Sequence, residues 1–420
     1  MWISLVASVC VFGEYGIVST TSWFWWVGCI SRRELNRKTM PNPFSNISKL
    51  FATKETSVVG IDIGTSFVKV VQMHKKAGKV VLDTYGEMAL GPLAGLEIGQ
   101  AASLPVDKLV PAILDLFKEA NVTSRDVVFS IPLTATMLSV IEMPDLGPEK
   151  LESMIPLEAR KYIPTPMTEV TLNWWIIPHL ERNYVDPDVE AKAAEEKKAG
   201  EEVSGDPSIG KVDVLIAAIH NQVIERYKVI AQKLGVTSAA FEVEIFSSIR
   251  ATMAHDRSLT MVLDMGAANT KIAMIEDGIV RSSHLINTGA QDVTAAIARV
   301  KNCSLLKAEE LKRDSGLQVD PQDPGVAEVV RIAVEHIFAE ANRILVKYEK
   351  DKHVNVSKVV LTGGGALLKG LPELVKSSFE TDMVFGDPFA NIDAPAALIP
   401  ILREAGPEFS VASGLVLKKL

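Results

Sequence analysis

Cysteine is scarce: three in 420 residues, Cys10, Cys29 and Cys303, with no CxxC spacing among them. Neither a disulfide framework nor a cysteine zinc site is encoded, which fits a reducing compartment. The seven histidines form no HExxH and no pair at helical spacing, so histidine-based metal chemistry has no ligand set. Positive charge is short as well. Lys and Arg total 44 against 52 Asp and Glu, a net charge of -8, and without a global positive field the chain is a poor partner for nucleic acid. What remains is ordinary globular usage, 47% hydrophobic and 23% charged. At roughly 100 to 200 residues per domain, the length predicts two to four folding units.

Residues 1–39 differ from the rest, with four of the six tryptophans and a charge-free run from Tyr15 to Ser31. Arg32, Arg33, Arg37 and Lys38 follow that run, the reverse of a secretory signal. Two readings stand: a non-native extension ahead of a start at Met40, or a membrane segment with its positive flank on the cytoplasmic side.

The body opens on a duplicated pattern. Residues 57–73, SVVGIDIGTSFVKVVQM, read as strand, tight turn, strand, and residues 261–277, MVLDMGAANTKIAMIED, read the same way. Asp62, Gly64 and Lys69 recur as Asp264, Gly266 and Lys271, 202 residues on. Between them the spacing predicts helices over 106–120 and 151–162, the latter stopped by Pro164 and Pro166, and strands over 127–131, 138–143 and 212–219. Residues 181–211 hold nine acidic and five basic residues and predict a solvated loop. Further helices are predicted over 292–300, 305–314 and 326–350, then a strand over 358–362 and a Gly363-Gly364-Gly365 turn. Strands alternating with helices around two hairpins predict an α/β protein in two similar halves.

Two glycine corners facing one another can each aim backbone N–H groups at an anion, as phosphate oxygens require. Asp62 and Asp264, at strand ends, are hard oxygen ligands suited to Mg²⁺ through water. Thr65, Ser66, Asn269 and Thr270 are candidates to add side-chain hydrogen bonds to phosphate. The triple glycine lets a flat adenine or ribose lie on bare backbone. GDPSIGK, residues 205–211, is not a P-loop, because Val212 stands where Ser or Thr must hold Mg²⁺. The triple-glycine segment fails the Rossmann fingerprint at Leu368.

A DxGT hairpin, a second DxG hairpin and TGGG before a helix resemble the phosphate-1, phosphate-2 and adenosine signature of the actin, Hsp70 and hexokinase ATPase superfamily. Within it, GIDIGTSFVKVVQM, IPLEARKYIPTPMTEVTLNWWII and FEVEIFSSIRA are similar to the cell-division protein FtsA and, more closely, to the type IV pilus assembly protein PilM family. The resemblance implies an actin-like, duplicated ribonuclease-H-like core with a PilM/FtsA-type inserted subdomain. It divides the chain into 56–125 and 236–257 (first core subdomain), 126–235 (insertion, with the charged loop), 258–386 (second half) and 387–420 (return to the first subdomain).

The resemblance also assigns roles. Asp62, Gly64, Thr65, Ser66 and Lys69 match the first phosphate loop, and Asp264, Gly266, Asn269 and Thr270 the second. Glu309 and Lys312 match the pair that contacts ribose, and Gly363, Gly364 and Gly365 the adenosine loop. Glu244 matches a residue that positions attacking water in hydrolytic relatives, although VEIF replaces their EP-type pattern. The implied cofactors are ATP and Mg²⁺, with at most weak ATPase activity. The implied partner is the N-terminal cytoplasmic peptide of PilN, in a groove involving parts of 127–162. The implied setting is cytoplasmic, peripheral to the inner membrane through partners in the pilus complex. An FtsA-like filament protein and a sugar-kinase-type phosphotransferase are the alternatives; the latter needs a substrate pocket and a base that no sequence feature supplies.

Overall fold

The computed structural model describes residues 56–177, 210–253, 256–319, 325–379 and 381–420. The chain forms two compact units, one of residues up to 134 with 223–420, the other of residues 135–222. The N-terminal stretch 1–39 lies outside the described residues, as does the charged loop except for Gly210 and Lys211. Among the described residues no helix is long and apolar enough to cross a membrane.

The larger unit repeats one sheet. Strands β1 (Ser57–Ile63), β2 (Phe67–Lys76), β3 (Lys79–Ala89), β4 (Asp126–Ile131) and β8 (Ser238–Val243) take the order β3-β2-β1-β4-β8. Strands β9 (Thr260–Met265), β10 (Thr270–Glu276), β11 (Ile279–Ile286), β12 (Lys358–Thr362) and β13 (Asp382–Phe385) take the order β11-β10-β9-β12-β13. In each, three antiparallel strands are followed by two parallel ones. The matched sequence turns thus become matched hairpins. Asp62 pairs across the ladder with Lys69, and Asp264 with Lys271.

Helices cover these sheets because their apolar residues fall on one stripe. In chain order they are α1 (Val106–Glu119), α2 (Pro148–Ala159), α3 (Asn221–Leu234), α4 (Glu244–Thr252), α5 (Ala290–Lys301), α6 (Leu305–Ser315), α7 (Gly325–Lys352), α8 (Leu371–Ser378), α9 (Ile399–Ala405) and α10 (Ser410–Leu417). Along α7, Val326, Val330, Val334, Ile337, Ala341 and Leu345 recur every three or four residues and are buried against Met261, Leu263 and Ile272 of the second sheet. The first sheet is covered from the C-terminal end of the chain: Phe409, Ala412, Leu415 and Val416 pack with Val58, Val71 and Met73. Helices α4 and α10 touch backbone to backbone, since a Cβ at Gly414 would lie 1.9 Å from the Ser247 carbonyl oxygen. Only glycine permits that approach.

The smaller unit is a three-stranded antiparallel sheet, β5 (Thr136–Pro144), β7 (Lys211–His220) and β6 (Val170–Ile177) in the order β5-β7-β6. Helix α2 lies on it through Leu151, Ile155 and Ala159, which pack with Ile141, Val214 and Ile216. This helix runs three residues earlier at each end than the sequence spacing predicts. Pro148 opens its first turn, where a missing N–H costs nothing, and Pro156 sits inside it.

Phe409 anchors the first sheet's cover, fully buried and edge-on to Tyr85 at 5.4 Å between ring centroids. Phe409→Ala is expected to cost about 3–5 kcal/mol of unfolding free energy. Urea denaturation measures this, and a loss below about 1 kcal/mol contradicts the packing described.

Candidate functional site

The two hairpin turns are closed by the same hydrogen bond. Gly64 N–H donates to the Phe67 carbonyl at 3.0 Å, and Gly266 N–H donates to the Asn269 carbonyl at 3.0 Å. Behind each turn a lysine meets carboxylates. Lys271 Nζ lies 2.8 Å from Glu244 Oε2 and 3.5 Å from Asp264 Oδ2, and Lys69 Nζ lies 3.8 Å from Glu408 Oε2. Glu244 is the first residue of α4, where a negative charge complements the helix dipole. Its other oxygen accepts the Leu133 N–H at 2.7 Å.

Burial of carboxylates governs this centre. Burial pushes the Asp62 carboxyl up from the ordinary range, against the pull of Lys69 and a hydrogen bond from Ser130 Oγ at 2.7 Å. Burial likewise pushes Glu244 up, against Lys271. Burial alone would lower Lys271, but Asp264 and Glu244 outweigh it and hold the amine protonated. Asp62, Asp264 and Glu244 outnumber the two lysines beside them, Lys69 and Lys271. Among the described residues no three His, Cys, Asp or Glu side chains converge as a direct metal ligand set.

The triple glycine reaches the same place. Gly363 has φ of 85°, and a Cβ there would lie 2.4 Å from Asp264 Oδ1. Gly365 packs on Met265, and Gly364 is exposed. The strand β12 ends beside β9 with Thr362 opposite Asp264, so parallel pairing itself brings the third motif to the second.

Other predicted residues are differently engaged. Ser66 is buried, with its hydroxyl donating to the Gly99 carbonyl at 3.3 Å, and Thr270 is buried, donating to the Thr288 carbonyl at 2.9 Å. Thr65 is exposed and Asn269 half-buried at their turns. Glu309 and Lys312 are buried and bonded to each other at 2.6 Å, with the Thr294 hydroxyl between them. Against burial, Lys312 and Arg313 hold the Glu309 carboxyl below its usual range. The segment 97–101 fastens this cluster to the first turn. Ala101 N–H donates to Gln291 Oε1 at 3.1 Å, Glu97 accepts the Leu306 N–H, and Ala102 N–H donates to the Thr65 carbonyl at 2.8 Å.

Sequence reasoning did not find Glu408, Glu87 or Arg313. Arg313 was findable, next to Lys312 on α6. Glu408 was not, lying 339 residues from Lys69 in a short turn with no recognisable motif.

Two five-stranded sheets of identical wiring, with their hairpin turns and a glycine loop converging, define an actin-like protein. The profile of the family described as "Type IV pilus assembly protein PilM" matches residues 60–205 and 201–420. The chain belongs to that family. A solved structure, described as a PilM-PilN type IV pilus biogenesis complex, superposes with a TM-score of 0.68 at 24% identity, covering 87% of this chain and 98% of that one. Cell division protein FtsA of Enterococcus faecalis is 32% identical over 145 residues, 30% of this chain and 32% of that protein. FtsA of Agrobacterium fabrum is 26% identical over 249 residues, 52% of this chain and 55% of that protein. The chain thus spans about a third to about half the length of these curated relatives.

Gly363 and Gly78 share a positive φ, but only Gly363 has neighbours where a Cβ would go. Gly78→Ala is expected to cost about 1–2 kcal/mol and Gly363→Ala more than that, with the difference read from paired urea curves. Equal costs contradict the packing of Gly363 against Asp264.

Proposed function

We propose that the chain binds ATP with Mg²⁺ between its two hairpin turns and serves as a cytoplasmic scaffold of the type IV pilus inner-membrane complex, with the N-terminal cytoplasmic peptide of a PilN-type membrane protein as its partner. The supporting observation is the repetition of turn, aspartate and lysine in two sheets of the same order. In this reading Thr65 and Asn269 present their backbone N–H groups to phosphate oxygens, Gly64 and Gly266, their own N–H groups spent on closing the turns, let the backbone approach closely, and Lys69 and Lys271 neutralise the charge. Mg²⁺ supplies the charge compensation that three carboxylates beside a triphosphate demand, with Asp62 and Asp264 holding its waters. Gly363, Gly364 and Gly365 give the adenosine a floor of bare backbone.

Glu244 is the residue for orienting a water. Both of its oxygens are engaged, by Leu133 N–H and Lys271, and a base so occupied makes turnover slow. Family membership supports the pilus setting. The superposed complex pairs PilM with PilN, and that pairing motivates the partner. The smaller unit has features an extended peptide uses: two sheet edges, β5 and β6, with Leu157, Tyr162, Trp175 and Ile176 exposed on the same unit. Closing the larger unit around nucleotide selects one arrangement of its halves, which couples nucleotide to peptide affinity.

Calorimetry with ATP and Mg²⁺ tests the first step; no heat with any adenine nucleotide defeats it. Asp62→Ala and Gly364→Asp are each expected to weaken ATP at least tenfold and to change PilN-peptide affinity measured by fluorescence anisotropy. Peptide binding that is identical with and without ATP rules out the coupling.

A further inference from the structure

The two cleft lysines are not held alike. Lys271 is gripped by Glu244 at 2.8 Å, whereas Lys69 is 3.8 Å from Glu408. Opposite Lys271 on the neighbouring strand β11 stands Leu285; opposite Lys69 on β3 stands Glu87. The first hairpin therefore carries a carboxyl that the second lacks. Glu87 Oε2 is buried without a hydrogen-bond partner. Glu408 faces it from the 3₁₀ turn Gly406–Phe409, and Glu408 Oε2 also lies 4.0 Å from where a side chain at Gly364 would begin. One carboxylate thus borders the lysine of the first phosphate loop, the middle glycine of the third motif and a second carboxyl.

Two carboxyl groups beside one lysine cannot both ionise at low cost, and the buried Glu87 bears that cost. The charged groups facing Glu87 are Glu408, Lys69 from β2 and Arg313 from α6, and Arg313 is itself bound to Glu309 at 2.8 Å. Burial and the Glu408 charge push the Glu87 carboxyl up to about 7, against the pull of Lys69 and Arg313. Lys69 and Arg313 both lie over the Phe67 ring, at 5.8 and 5.7 Å from its centroid. Phe67 is the residue that closes the first turn.

We propose that Glu408 is a positioning residue for Lys69 and that the neighbouring buried Glu87 takes up a proton when the phosphates of a bound nucleotide claim Lys69. This rests on the nucleotide reading above. The reasoning is charge balance: with Lys69 turned to a polyanion, Glu87 loses the pull of that cation and gains a negative neighbour, and both changes favour the protonated state. Linkage then requires nucleotide affinity to fall as pH rises above neutral, by up to about tenfold per pH unit for one linked proton.

The test is titration of the full chain with ATP and excess Mg²⁺ by calorimetry at pH 7 and 8, each in two buffers of different ionisation enthalpy, for the wild type, Glu87→Gln and Glu408→Gln. The wild type is expected to take up between about half and one proton more than either variant, and the affinity loss from pH 7 to 8 to shrink at least threefold in both. Nucleotide binding with the same proton uptake in all three proteins overturns the proposal and leaves the nucleotide reading intact. No heat in any of them overturns both. The nucleotide-free protein gives an independent reading. A carboxyl raised in the folded state contributes stability that is full below about 4.5 and lost as pH rises through about 7. In urea denaturation Glu87→Gln should therefore gain on the wild type across that window; parallel curves overturn proton uptake by Glu87.

Discussion

A cation set into the back of each hairpin turn must find a carboxylate, and much of the larger unit is arranged around meeting that need. An unpaired buried charge costs about 3–5 kcal/mol, so Lys271 and Lys69 can be kept only if acids are delivered to them. Some acids lie in the hairpins themselves, Asp264 beside Lys271 and Glu87 opposite Lys69, and others are brought from outside: Glu244 from the start of α4, Glu408 from the turn before α10. Lys271 of the second sheet thus meets Glu244 from the helix that follows β8 of the first, and Lys69 meets Glu408 from the segment that covers its own sheet. Electrostatics and connectivity are therefore the same constraint, and ionic contacts tie together strands that the sheets themselves keep separate.

The duplication is not a copy at the level of side chains. The strand order is preserved, and so are the turn hydrogen bonds at Gly64 and Gly266, while Glu87 on one side is Leu285 on the other. The second hairpin sets Leu285 opposite its lysine, and Glu244 from α4 holds that lysine firmly. The first is acidic beyond its lysine and holds it loosely. The segment 97–101 adds to the difference, since it backs the first turn and also fastens to α5 and α6.

The hairpins were legible because their signal is local: alternating β-branched residues, a short glycine turn and a spacing that recurs intact. Strand β12 was legible for the same reason, and its predicted bounds coincide with the observed ones. Strands β3 and β11 were not read, because KVVLDTYGEMA and IVRSSHLI interleave polar residues, although the Ala77-Gly78 and Asp277-Gly278 turns that open them, with positive φ at all four residues, are hairpin signals. They form because a hairpin partner already stands beside them. The helix over 148–159 was misplaced by prolines, which terminate helices in the interior but initiate them in the first turn. Of the site, the glycines and aspartates could be named from spacing. The Glu309–Lys312 pair sits at i,i+3 on one helix, a local spacing, whereas the side-chain states of Ser66 and Thr270 depend on the Gly99 and Thr288 carbonyls, 33 and 18 residues on, and no sequence pattern encodes those partners.

The crossing of α4 and α10 carries a mechanical consequence. With Gly414 seated on the Ser247 carbonyl, the two helices have no interposed side chain to slide on, so sideways travel at that point is blocked by backbone itself. Helix α10 also lies on Val58, Val71 and Met73 of the first sheet, so the glycine seat locks α4 to that sheet's cover and the two travel as one piece.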